Sequence, residues 1–173
     1  EKIHFGFFTS KGGVSQGNYK SLNCSINSKD NKKFEEKNIN IALKKLKIEK
    51  KKLKLINQIH SNKIYLVNNK NIKNEYFGDG IITRNKNVAI GVLTADCAPI
   101  FMFDLKNSII CCLHSGWKGS LLNIVEKGVK KLKLNQKIKN TNIVAVVGPC
   151  LGFKNFEVNK NFKSKFIKKS KIY

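Results

Sequence analysis

Arginine is nearly missing from this chain. Of 34 basic residues Arg84 alone is arginine and 33 are lysines, set against 11 acidic residues for a formal net charge of +23. A charge of that size invites a nucleic-acid reading. Proteins that read base edges or grip phosphates through two parallel hydrogen bonds favour the arginine fork, which is the group in short supply. The lysines are spread over loops, helix faces and the C-terminal stretch, with asparagine and isoleucine abundant beside them. That trio is what an A- and T-rich coding sequence yields. No specific nucleic-acid partner is therefore expected, and a general polyanion-binding surface is the competing reading.

Other absences narrow the class further. No apolar run is long enough to span a bilayer: the longest, 88–102, is interrupted by Thr94, Asp96, Cys97 and Pro99. No membrane partner is expected. No signal peptide is visible at Glu1, although the chain does not begin with Met. The five cysteines (Cys24, Cys97, Cys111, Cys112 and Cys150) form no C-x-x-C pair and no zinc-finger spacing. A reducing, cytoplasmic setting without a disulfide framework is expected. There is no internal repeat and no long linker. The 173 residues and 41% hydrophobic content fit one domain, 1–173, large enough to bury a substantial core.

The periodicities predict a mixture of elements. Strands are expected at 4–9, 53–59, 63–67, 81–83, 88–94, 99–103, 108–114 and 143–147, with 88–94 and 143–147 buried. Helices are expected at 33–46 and 120–132, and a basic, helical stretch at 155–173. Glycine turns punctuate the chain at Gly12-Gly13, Gly78-Asp79-Gly80, Gly116 and Gly148. Hairpin-like neighbours are frequent, so α+β with mixed sheets is favoured over strict alternation.

Three short stretches hold the chemistry: Gln58-Ile59-His60, Thr94-Ala95-Asp96-Cys97 and His114-Ser115-Gly116-Trp117-Lys118-Gly119. Each lies at the end of a strongly apolar run. Each has a bland reading alone: a surface histidine at His60, a buried structural cysteine at Cys97, a packed histidine at His114. Together, two imidazoles and a thiol match a catalytic zinc site, which takes three protein ligands and leaves a position open for water. A metal-free Cys97–histidine pair, with the thiolate as nucleophile, is the alternative. Spacing alone does not choose between them. Asp96 is a candidate to orient an imidazole or move a proton, or simply to cap a helix beginning at Cys97. Lys118, Lys11 and the turn at Gly116 are candidates for holding an anion, each lysine weighed against an ordinary solvated role. Cys150 reads as structural.

These motifs also fall in a recognisable order. Phe8-Thr9-Ser10-Lys11-Gly12-Gly13-Val14-Ser15, Gln58-Ile59-His60, Gly78 to Thr83, Leu93 to Pro99, His114 to Gly119 and Gly148-Pro149-Cys150-Leu151-Gly152 resemble the YfiH, or laccase-domain, family across nearly the whole chain. The family is also called polyphenol oxidase or peptidoglycan-editing factor. The resemblance implies an α+β layered α/β/β/α sandwich with mixed β-sheets. It implies a purine nucleoside phosphorylase acting with inorganic phosphate on adenosine, inosine and methylthioadenosine, with accompanying adenosine deaminase activity. It places zinc on His60, Cys97 and His114, and basic site residues on Lys118 and Lys11. The older copper-laccase label is less expected, because copper oxidation ordinarily uses more imidazoles than three histidines supply. Two departures stand out. Relatives carry arginine where this chain has Lys11 and Lys118, which keeps the charge but loses the fork. Relatives also continue past Tyr173, so a missing C-terminal part is expected. The competing functions are a metal-free Cys97 hydrolase or amidase acting on peptidoglycan-derived substrates, and a non-catalytic basic module.

Overall fold

In the computed structural model, residues 3–48, 52–104, 106–134 and 142–168 are described. The chain divides into two compact units. One comprises Glu1–Leu53 with Lys86–Ala89, and the other Lys54–Asn85 with Ile90–Tyr173.

The first unit is built around α1, Lys32–Lys45. Asn31 starts it as a side-chain cap, accepting the Lys33 amide at 2.9 Å. Glu35 lies in the first turn and Lys44 and Lys45 in the last, each matched to the helix dipole. Asn38 is fully buried on this helix. Its oxygen accepts the Val14 amide at 2.8 Å, and its amide donates to the Ser15 hydroxyl at 2.8 Å and the Asn23 carbonyl at 2.8 Å. That one side chain holds the Lys11–Ser15 turn against the helix. Gly13 belongs there because an added Cβ would stand 2.3 Å from the Ser21 carbonyl oxygen. The strand expected at 4–9 does not form: Phe5 and Phe8 are exposed and the segment joins no ladder. Aromatic alternation supplied the pattern, but no strand among the described residues pairs with it.

The second unit carries a five-stranded mixed sheet in the order β2-β3-β6-β5-β7. These strands are Ile64–Val67, Gly80–Thr83, Ile109–Ser115, Ala98–Asp104 and Val144–Val147, respectively. The β2–β3 pair is parallel and the others are antiparallel. The remaining strands, β1 (Lys52–Lys54) and β4 (Val88–Ile90), pair with each other. β4 stops at Ile90 rather than continuing to Thr94, and β1 ends four residues before Gln58.

Two helices follow β6: α2, Trp117–Leu121, and α3, Ile124–Leu134. The apolar spacing predicted one helix over 120–132. Asn123 divides it, with φ 57°, a left-handed conformation asparagine tolerates better than most residues. Its amide closes the first helix on Ser120 and its carbonyl accepts Lys127 at the start of the second. Ile124 and Leu132 of α3 pack with Ile82, Met102, Ile109 and Leu113 in the main core. The opposite face, with Val67 and Ile81, is covered by Ile56, Ile72, Tyr76 and Val92.

The structure corrects one burial expectation. β7 was predicted to be buried, yet it is the sheet's outer strand and Val144 and Val147 are exposed. The C-terminal helix α4 covers Phe162–Ile167, and residues 169–173 of the expected helical stretch lie outside the described residues. Among the described residues no helix is long and apolar enough to cross a membrane. The α+β class with a mixed sheet is therefore observed.

Candidate functional site

The second unit brings His60, Cys97 and His114 to one place. Their donor atoms all lie within 4.8 Å of one another, the only such set of three metal-binding side chains among the described residues. Each arrives from the end or flank of a sheet strand. His60 heads the turn before β2. Cys97 sits one residue before β5. His114 is the penultimate residue of β6, opposite Pro99 in the ladder. Strand ends are where short turns can aim polar groups from a rigid scaffold.

His60 is exposed, Cys97 half-buried and His114 buried. The Cys97 sulfur stands 3.9 Å from His60 Nε2. The two imidazole rings meet edge to face, with centroids 4.9 Å apart and planes at 76°. Gly116 closes the third side, where a Cβ would fall 2.9 Å from the Cys97 sulfur and 2.9 Å from His60 Cδ2. A side chain there would push on both the Cys97 sulfur and the His60 ring. Gly119 lies against the Ser61 and His114 carbonyls in the same turn region.

Asp79, quoted from the sequence only within a glycine turn, organises the site from behind the two histidines. It is fully buried. Its Oδ1 faces His114 Nδ1 at 2.8 Å and accepts the His60 amide at 3.1 Å. Its Oδ2 accepts the Ser61 amide at 2.5 Å and the Ser61 hydroxyl at 2.8 Å. Burial pushes this carboxyl up. The hydrogen bonds from His114 and from Ser61 outweigh it and hold the group below the ordinary aspartate range. The signal that could have found Asp79 is the pair of flanking glycines, which mark a backbone turned tightly around one polar residue.

Gln58 adds a second tie. Its carboxamide donates to the Leu93 carbonyl at 2.7 Å and accepts the Leu93 amide at 2.7 Å. The side chain thus mimics a strand partner where β4 has ended, and fixes the segment leading to Cys97 beside the one leading to His60.

The other sequence candidates land differently. Asp96 is exposed, and its carboxylate makes no hydrogen bond among the described residues. The imidazole partner is Asp79, and no helix starts at Cys97 for Asp96 to cap, since β5 begins at Ala98. Lys118 is exposed, with its ammonium 5.5 Å from the Trp117 ring centroid, and Lys165 lies 4.7 Å from the same centroid. Lys11 belongs to the first unit and is exposed there. Cys150 is exposed rather than structural. Cys111 and Cys112 are buried in β6, as expected of small apolar groups.

The donor set suits a metal ion. With zinc–sulfur near 2.3 Å and zinc–nitrogen near 2.0–2.1 Å, tetrahedral ligands stand about 3.6 Å apart. The observed 3.9 Å between Cys97 and His60 differs by a few tenths of an ångström. The thiol itself is pushed up, first by burial and then by the negative charges of Asp96 and Asp79. A free thiolate is disfavoured in that setting, and a bound cation would reverse the balance.

A purine nucleoside phosphorylase of Bacteroides thetaiotaomicron is 26% identical over 168 residues, covering 92% of this chain and 62% of the relative. Purine nucleoside phosphorylase YlmD of Bacillus subtilis is 30% identical, over 87% of this chain and 57% of that protein. Among solved structures, YlmD of Geobacillus stearothermophilus aligns with a TM-score of 0.82 at 22% identity, covering 90% of this chain and 61% of that one. YfiH of Bacillus licheniformis aligns with a TM-score of 0.83 at 24% identity, over 90% and 61%. The chain thus spans about three-fifths of the length of these relatives. The model of the family described as multi-copper polyphenol oxidoreductase laccase matches residues 4–172, and the chain belongs to that family.

Proposed function

We propose that residues 1–173 are the greater part of a cytoplasmic purine nucleoside phosphorylase whose zinc site is His60, Cys97 and His114. The observation that carries the reading is the convergence of these three donors from remote parts of the chain, with Gly116 and Asp79 shaped around them. The relatives' name supplies the reaction class. Phosphate oxygen attacks the anomeric carbon, the bond from that carbon to the purine nitrogen breaks, and the leaving base gains a proton. The sugar passes through a cationic transition state, as in glycoside cleavage. Lys118 and the amides of the turn at Gly116 are the candidates for holding phosphate within the second unit. Asp96 and the histidines are the candidates for the proton.

Accompanying deamination of adenosine belongs to the same proposal. Zinc bound at the three donors would activate water toward the purine carbon that carries the amine. The protein's own part is to hold His114 through Asp79, to bring Cys97 to it, and to keep the pocket narrow at Gly116. Copper fits less well. Copper oxidation ordinarily uses more imidazoles than the chain's three histidines supply.

Incubation of the full-length protein with adenosine, with and without phosphate, tests the reading. Adenine released only with phosphate supports phosphorolysis, and inosine formed without phosphate supports deamination. The 3.9 Å contact between Cys97 and His60 is the one observation that favours a metal-free thiol hydrolase. Full activity in strong chelator, lost in Cys97→Ala, would establish that instead.

A further inference from the structure

Five donors converge on the Asp79 carboxylate, and none of its oxygens is left to solvent. A carboxylate has about four lone-pair directions, so its capacity is filled. The two oxygens divide the work. Oδ2 serves the Ser61 amide and hydroxyl and, at 3.4 Å, the Ile59 amide, while Oδ1 serves the two residues that bear the imidazoles. The backbone of Asp79 joins in: its carbonyl accepts the His114 amide at 2.8 Å, and its amide donates to Lys63 at 2.9 Å. Both histidines are thus tied to one residue, the His60 amide and the His114 ring at Oδ1 and the His114 amide at the backbone carbonyl.

We infer that Asp79 is the positioning residue that sets the tautomer of His114 and the backbone of His60 together, so that the donor set is formed before any metal binds. A carboxylate facing five donors can only accept. His114 Nδ1 must then carry the proton, and the lone pair of Nε2 is left for the side shared with Cys97 and His60. His60 has φ 55°, a left-handed conformation uncommon for a residue with a side chain. Its amide, held by Oδ1, keeps the turn that points Nε2 at the Cys97 sulfur. Carboxylates behind metal-bound histidines act this way as a rule, and their loss weakens metal binding by roughly 10–100-fold. Here one carboxylate governs two ligands. This inference builds on the metal reading for its consequence and on the hydrogen bonds alone for its geometry.

The experiment uses the full-length protein and two readouts. Nitrogen-15 NMR of the metal-free wild type gives the tautomer of His114, assigned by the loss of its signals in His114→Asn. Nδ1 protonated and Nε2 bare is the result expected. Zinc competition against a chromophoric chelator is then compared for wild type, Asp79→Asn and Ser61→Ala. Asp79→Asn is expected to bind roughly 10–100-fold more weakly. Ser61→Ala, which removes one Oδ2 bond and spares Oδ1, is expected to change affinity less. Cobalt substituted for zinc should show an altered ligand-field spectrum in Asp79→Asn only. A proton on His114 Nε2 overturns the proposal, as does a folded Asp79→Asn protein with wild-type zinc affinity. If Asp79→Asn does not fold, the wild-type tautomer decides. A wild type that takes up no zinc defeats the metal reading, and the tautomer still decides the role of Asp79.

Discussion

At the scale of single residues, the site depends as much on what is small as on what is reactive. Gly116 has room for a hydrogen and nothing larger beside Cys97 and His60. Gly116→Ala should therefore lower zinc affinity tenfold or more while the folded protein keeps its circular dichroism. Titration of both proteins against a zinc indicator checks this, and equal affinities would show the pocket to be wider than described. The three donors were legible in the sequence because each ends an apolar run beside a turn signal. Asp79 was harder to read, since its flanking glycines mark a tight turn without saying whether that turn is buried. Asp96 was favoured over it for being next to Cys97 in sequence, and adjacency along a strand end says little about facing. An aspartate 35 residues before His114 is its actual neighbour.

At the scale of elements, β3 and β6 are the pair on which the geometry rests. Gly80 sits opposite Leu113 in the ladder, directly after Asp79 and directly before His114. A Cβ at Gly80 would meet Leu113 at 2.6 Å and Ile64 at 2.7 Å, both in the core. Gly80→Ala should cost about 1–3 kcal/mol by overpacking. Leu113→Ala, at a fully buried position, should cost about 2–5 kcal/mol through the cavity left behind. Urea denaturation measures both. A loss below about 0.5 kcal/mol at either position would mean that this strand pair is packed more loosely than described. Most of these elements could be read from periodicity, and their neighbours could not. The segment at 4–9 has a strand's alternation and no ladder. β7 has a buried strand's composition and an edge strand's exposure. The helix after Gly119 has continuous apolar spacing and a break at Asn123, where one left-handed residue outweighs the pattern.

At the scale of the whole molecule, charge and pH enter. Asp30 is held below the ordinary aspartate range, first by the Ser15 hydroxyl and then by Asn23, the Asn31 amide and Lys32, against a desolvation that raises it. A depressed folded pKa contributes stability that is complete above the unfolded value, about 3.9. That contribution fades as pH falls from there through the folded pKa. Stability should therefore decline with acid below about pH 4, and Asp30→Asn should flatten the decline. Denaturant midpoints measured from pH 2 to 6 report this, and parallel profiles for the two proteins would remove Asp30 from the account.

The central claim, that two imidazoles and one sulfur form a single metal site, is open to a direct count. Elemental analysis of the full-length protein, purified without chelator, is predicted to give one zinc per chain. Cys97→Ala and His114→Ala are predicted to give close to none. A wild type without metal, or variants that keep a full equivalent, would contradict it.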